Sequence, residues 1–485
     1  MSARIALNDV NRRWWTLAAM CFALFMVMLD NTVVNVALPS IQRDLDASLA
    51  GLEWTVNAYT LAFGVLLVTG GRLGDIFGRR RVFLFGVVLF AGSSAFIGFS
   101  QSQAWLVAGR AMQGVGAAFM MPATLSIITN AFPPQERGKA IGTWAGVSAL
   151  ALAIGPVVGG LLVEHVSWQS IFFINLPVAV GAVAVTLFAT HESRDETVVP
   201  KVDFAGIATL TTGLTALTLA LVEAAAWGWG SPRIIGLFAL AAAGLTAFVY
   251  VERRAAVPMV DFGFFGARTF LGANLVAFIV SFAMLAMFFF ISLYMQNVLR
   301  FSPLEAGLRF LPTTLMVIAI APIAGRLTDR IGPRPLMTAG LALVAISLLW
   351  QSFIETDTGF DFLLPGFVLM GIGISLVMSP MSTAAMNAVD QNKAGVASGI
   401  LSMSRMVGGT LGVAVLGAFI GRAGTTEDFV HSLSQGLKIG SGVAAVGAIV
   451  AWTLISPHLA GATHAPAAGE AVAPPADTAR ERVGA

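Results

Sequence analysis

GRLGDIFGRRR at 71–81 and GRLTDRIGPRP at 325–335 are two copies of one motif, 254 residues apart, each in a short gap between long apolar runs. The copies share glycine, arginine, leucine, aspartate, glycine and arginine at matched positions: Gly71 and Gly325, Arg72 and Arg326, Leu73 and Leu327, Asp75 and Asp329, Gly78 and Gly332, Arg80 and Arg334. A long-period repeat in so apolar a chain points to a polytopic membrane protein made of two related halves.

The surrounding composition agrees. Of 485 residues 57% are hydrophobic and 11% charged, against about 25% charged in a soluble domain. A net charge of +2, with arginines scattered in gaps between apolar runs, gives nucleic acid nothing to grip. Cys21 is the single cysteine, which excludes an internal disulfide and a cysteine metal site. The first apolar run exceeds 20 residues and has no small-residue cleavage pattern, so it reads as a retained span.

A helix needs roughly 20 apolar residues to cross a bilayer. Fourteen stretches qualify: 15–38, 52–70, 82–100, 104–128, 139–163, 168–189, 204–223, 233–250, 270–296, 305–324, 335–353, 361–385, 394–420 and 437–457. With the amino terminus inside, twenty lysines and arginines fall in cytoplasmic segments. Six fall outside: Arg43, Arg233, Arg300, Arg309, Arg422 and Lys438. That positive-inside bias favours both termini in the cytoplasm.

The two motif copies correspond only if spans 1–6 and 9–14 form six-helix bundles around an inserted pair. The expected organisation is an amino-terminal bundle (1–190), a linker with two inserted transmembrane helices (191–268), a carboxy-terminal bundle (269–457) and a disordered cytoplasmic tail (458–485). That tail is rich in Ala and Pro. The chain has no GxxxxGK[ST] loop and no room for a nucleotide-binding domain, so transport would draw on an ion gradient. One charge crossing 100 mV yields about 2.3 kcal/mol, enough for nearly a fifty-fold gradient at about 1.4 kcal/mol per decade.

Several residues stand out as chemistry rather than lipid-facing surface. Asp30, in LDNTVVNVALP of span 1, is an acid deep in hydrocarbon and must face a cavity or a partner. Burial and a neighbouring cation act on it in opposite directions, as a reversible proton site requires. Asn31 and Asn35 extend its polar face. In span 4, Arg110 and Gln113 share a helix face with Gly114 and Ala117. The other half carries Phe367 at the corresponding position, so this arginine has no repeat partner. Gly155 and Gly159 in span 5 form a GxxxG face around Pro156, suited to a pliable close helix contact at the interface of the two bundles. Asn57, Tyr59, Gln113, Asn274 and Gln296, with Asn31 and Asn35, are candidate substrate-cavity contacts. Arg405 has two readings: it faces the cavity, or it snorkels to the cytoplasmic side. Packing alone is the competing explanation for each.

From Trp14 to Pro457 the chain resembles the fourteen-span drug:proton antiporters of the major facilitator superfamily, on the motifs just quoted. The resemblance implies an all-α major facilitator fold with two six-helix bundles plus two inserted central helices. It implies proton-coupled efflux, by alternating access, of amphiphilic drugs, lipophilic cations or antibiotics, in the inner (cytoplasmic) membrane. Asp30 and Arg110 would couple protons. Gly71, Asp75, Gly78, Arg79, Arg80 and Asp329 would form a conformational latch. Gly146, Gly155, Pro156, Gly159 and Gly160 match the family's antiporter motif, although Ala151 stands where a central glycine is usual. No enzymatic activity, no metal and no cofactor beyond the proton gradient is expected. The expected partners are a small amphiphilic substrate, protons and membrane lipids, not nucleic acid, and the chain is expected to act as a monomer. A lipid or glycolipid transporter of the same fold is an alternative. An uptake symporter is a second, against which the span 5 motif speaks.

Overall fold

The structure is a computed structural model, and it describes residues 9–194, 201–256, 258, 260, 262–389, 394–420 and 425–457. The expected tail at 458–485 lies outside the described residues. Sixteen α-helices follow in order: α1 Asp9–Leu45, α2 Leu49–Phe77, α3 Arg79–Gly98, α4 Gln103–Ala131, α5 Pro134–His165, α6 Ser170–Phe173, α7 Asn175–Ala189, α8 Phe204–Trp227, α9 Pro232–Glu252, α10 Arg268–Leu293, α11 Pro303–Arg309, α12 Leu311–Ile331, α13 Pro333–Gln351, α14 Phe360–Asn387, α15 Ala394–Ile420 and α16 Thr426–Leu454. The described residues contain no strand. Helix is what a hydrocarbon solvent selects, because it satisfies every backbone N–H and C=O within the segment.

Thirteen helices are long and apolar enough to cross a membrane among the described residues. The 32-residue α5 adds a fourteenth rod. Two expected spans are each divided: α6 meets α7 at Ile174, and α11 meets α12 at Phe310. The last expected span, 437–457, instead begins at Thr426. There Thr425 and Asp428 form a reciprocal capping box that starts the helix early. Lys438, assigned above to an outer loop, therefore lies inside α16.

The repeat is visible in the backbone. Gly78 (φ 108°) separates α2 from α3, and Gly332 (φ 80°) separates α12 from α13. Both sharp turns fall at the same place in the repeated motif, and both require a residue without a Cβ penalty. Among the described residues, Asp46 and Arg300 are the non-glycine positions with positive φ, at 47° and 60°, and they are also 254 residues apart. Ser48 and Ser302, at that same spacing, each cap the helix that follows. Gly86 of α3 abuts the Gly116 carbonyl of α4, and Gly340 of α13 abuts that of Gly373 in α14.

Packing follows this symmetry. In the first half α4 lies against α2 and α3, and α1 lies against α5 and α7. In the second half α14 lies against α12 and α13, while α10 lies against α15 and α16. The halves meet through α2 on α15, α5 on α11 and α1 on α10. The inserted pair α8–α9 docks through α8 onto both α2 and α15. The α10 segment is the most enclosed of the crossing helices and α9 the least, which puts α9 at the lipid side.

Candidate functional site: a buried ion pair and the seams around it

Asp30 is fully enclosed, and Arg110 is 1% exposed. The Arg110 Nη1 donates to Asp30 Oδ2 at 2.5 Å. Gln113 Nε2 donates to Asp30 Oδ1 at 3.0 Å, and Asn175 Nδ2 reaches the same oxygen at 3.4 Å. Arg110 also donates to Gln113 Oε1 (2.7 Å) and, through Nε, to the Thr55 carbonyl (2.9 Å). Its guanidinium lies 4.3 Å from the Tyr59 ring centroid and 5.9 Å from that of Phe172. Ser94 closes the network, accepting from Gln113 and Asn175. Charge-assisted bonds to a fully dry carboxylate are strong, but the pair survives burial only because each partner's remaining polar atoms are matched.

The elements explain the convergence. Arg110 and Gln113 are one turn apart on α4, so both reach α1. Asn175 opens α7, just past the break at Ile174. Sequence reasoning identified Asp30, Arg110 and Gln113 but not Ser94, Asn175 or Thr55. Small neutral side chains and a backbone carbonyl leave no pattern in an apolar run.

One turn beyond Asp30, α1 becomes a contact strip. A Cβ at Gly155 would overlap the Thr32 side chain, and one at Gly159 would press on Val33. Gly155 and Gly159 thus pack on α1 within their own half. Residues of α5 that meet the other half include Pro156, against Gly307 of α11, Gly160, against Pro303 and Leu304, and Glu164, which accepts from the Leu304 N–H at 3.0 Å. The expectation that the GxxxG pair itself forms the contact between halves is corrected here: neighbours in a helix are about 100° apart, so adjacent positions serve different faces. Gly146 has open space where a Cβ would stand.

Further along α1, Pro39 has no N–H for the Asn35 carbonyl four residues back. Ser292 of α10 donates to that carbonyl at 2.7 Å, and Gln296 Nε2 donates to the next, Val36, at 2.9 Å. Gln296 sits in a π-helical stretch, Tyr294–Val298, which ends α10. Asn35 Nδ2 itself donates to Asn31 O, and Asn31 Nδ2 to Val27 O.

Of the remaining cavity candidates, Asn274 is buried and accepts from Ser404 inside the second half. Tyr59 is buried against Arg110, with its hydroxyl unmatched. Asn57 is fully buried, and both its amide atoms lack a partner. Arg405 is half-buried, with Nε unmatched.

At the motif turn, Asp75 accepts from Arg79 at 2.9 Å. Gly71 lies against Pro122 of α4. Arg80 donates to the Leu187 carbonyl, and its backbone N–H to Glu192. Arg81 pairs with Glu192 at 3.7 Å, and a Cβ on Gly78 would collide with that carboxylate. Glu192, unnoticed in the sequence, is therefore a second acid at this turn, holding the Arg80 N–H and pairing with Arg81. The Asp329 side chain lies outside the described residues.

Residues 20–413 match the family model of the Major Facilitator Superfamily. The chain belongs to that superfamily. Among its major facilitator relatives, the tetracenomycin C resistance and export protein of Streptomyces glaucescens is 39% identical over 409 residues, covering 84% of this chain and 76% of the relative. The puromycin resistance protein of Streptomyces alboniger is 37% identical over 462 residues, covering 92% of both chains. The multidrug resistance protein Stp of Mycobacterium tuberculosis is 37% identical, covering 84% of this chain and 75% of its own. A crystal structure of a POT peptide transporter with sulfate superposes with a TM-score of 0.68 at 14% identity, over 92% of this chain and 97% of that one, which shows the shared fold. The protein is thus a multi-pass major facilitator of the cell membrane.

Proposed function

We propose that this chain exports amphiphilic drugs, lipophilic cations or antibiotics by proton-coupled antiport, alternating between outward and inward openings. Three similar proteins carry export or resistance in their names. The observation that carries the proton-coupling reading is the enclosed Asp30–Arg110 pair.

A proton reaching Asp30 removes the charge that holds Arg110. The arginine then keeps Gln113, the Thr55 carbonyl and the Tyr59 ring as partners, so its cation stays solvated by protein. Asp30 rides on the helix whose next turns touch α5 at Gly155 and α10 at Ser292. Loosening the pair therefore frees α1 to shift at both seams. A cationic substrate and a proton compete for the protein through this linkage, so binding one favours release of the other. Asn57, enclosed with both amide atoms unmatched, is the polar contact we assign to substrate or its hydration. Arg79, Arg80 and Asp75 serve as the cytoplasmic latch, with both termini inside. The division into bundles 1–190 and 269–457 around an inserted 191–268 segment, and action as a monomer, belong to the same proposal.

The test is purified protein in liposomes with an imposed pH gradient. Adding a cationic dye should release protons, and Asp30→Asn should abolish that release while dye still binds. Dye export that persists without proton movement would overturn the coupling. Dye-independent lipid scrambling would instead favour the lipid-transport alternative.

A further inference from the structure

Glu53 is a second enclosed acid, outside the Asp30 network. It is 1% exposed, one turn into α2, and its Oε2 has no hydrogen-bond partner. Its carboxyl group occupies the space left by Gly417 on α15, where any Cβ would overlap both carboxyl oxygens. The acid therefore sits between the two halves of the protein. One turn further along α2, Asn57 is also unmatched, and beyond it Thr60 shares a hydrogen bond of 2.7 Å with Thr410 of α15. Glu53, Asn57 and Thr60 recur at four- and three-residue spacing, so they form one polar stripe along the face of α2 that α15 covers.

The charged groups that bear on Glu53 are sparse. α8, which packs on both α2 and α15, contributes Glu223, close enough for its charge to act on Glu53. The one charged residue described on α15 is Arg405, twelve residues from Gly417 and so roughly 18 Å along the helix. Near the start of α2, α4 presents the neutral Gln103 against Gly51. Further along, Arg110 is bound to Asp30. On α9, Arg233 is turned onto Trp227. Among the described residues no cation is paired with Glu53, and Glu223 would repel its ionised form.

We propose that Glu53 is a second proton site of the transporter, which holds the outer end of the α2–α15 seam shut when protonated and opens it when ionised. A neutral carboxylic acid is tolerated in a dry helix contact, whereas an isolated carboxylate is strongly disfavoured. Parting the seam admits water, the Glu53 O–H bond breaks, and the proton passes to water on the outer side. The inserted helix α8 gains a role: it walls the seam and places a like charge beside the acid. The inference rests on the alternating-access reading but not on coupling through Asp30.

The test uses the full chain in nanodiscs with Cys21→Ala, spin-labelled at Ala50→Cys and Glu427→Cys. Distance distributions are recorded by pulsed electron resonance from pH 5 to pH 9. For one linked proton, the ratio of open to closed seam should rise by up to about tenfold per pH unit. Glu53→Gln, isosteric and permanently neutral, should stay closed throughout. Gly417→Ala, which expels the carboxyl group, should be open already at pH 5. A wild-type seam that ignores pH, or a Glu53→Gln seam that opens with pH as wild type does, would overturn the proposal. Absence of dye-driven proton release in wild type would count against the antiport reading alone, because the distance measurement needs no substrate.

Discussion

Replacing one member of the Asp30–Arg110 pair should cost far more than replacing both. The two side chains are 0% and 2% exposed and bonded at 2.5 Å. Breaking a buried pair by removing one partner typically costs about 3–5 kcal/mol, because the other charge is stranded. In Asp30→Asn, Arg110 keeps Gln113, Thr55 O and the Tyr59 ring, which places the loss near the lower end, about 3 kcal/mol. In Arg110→Gln the carboxylate keeps Gln113 and the longer Asn175 bond, and the loss should be at least as large. Independent effects would sum to roughly 6 kcal/mol or more. The double variant carries two neutral amides that can bond to each other, so we expect it to lose no more than about 3 kcal/mol, a coupling of roughly 3 kcal/mol. Unfolding by sodium dodecyl sulfate in mixed micelles, followed by tryptophan fluorescence, would measure the cycle. Losses that add to within about 0.5 kcal/mol would refute the claim that these groups answer chiefly to each other.

Other substitutions probe the seams. Gly155→Leu should drive its side chain into Thr32 and destabilise the α1–α5 contact by about 1–3 kcal/mol; dye efflux per molecule should fall while membrane insertion, judged by fluorescence of a fused reporter, is unchanged. Gly78→Ala forces a Cβ at φ 108° and against Glu192, costing about 1–3 kcal/mol. Pairing it with Glu192→Ala should recover only the part due to the collision, as thermal unfolding in detergent would reveal. Pro39→Ala returns an N–H to the Asn35 carbonyl, in competition with Ser292; the interhelix bond should weaken by about 1 kcal/mol. A double-mutant cycle with Ser292→Ala should then show a coupling of about 1 kcal/mol, since losing the hydroxyl costs less once the helix serves the Asn35 carbonyl itself.

The fold was legible because hydrocarbon imposes length and polarity limits that each span must meet, and because the 71–81 motif recurs. Charges deep in apolar runs were legible for the same reason, so Asp30 and Arg110 stood out. Glu53 did not, since it lies at the edge of its apolar stretch and reads there as an acid at the headgroup level. Its enclosure comes from α15 and α8, far away in sequence. Ser94, Asn175 and Glu192 escaped notice for a related reason: small polar groups and loop acids acquire meaning only from what lies across from them. The early start of α16 was readable in principle from Thr425 and Asp428, had capping been weighed ahead of hydropathy.

Proline at position 39 has a consequence that outlasts any one conformation. The Asn35 oxygen it orphans cannot be satisfied from within its own helix, whichever way the transporter faces. While the halves are shut at this level, a hydroxyl from α10 serves it. In the proposed alternating-access cycle they separate there, only solvent can then take over, and the opening on that side must be wetted at least to this depth. A crevice too narrow or too greasy for a single file of water would leave the oxygen bare and push the halves back together.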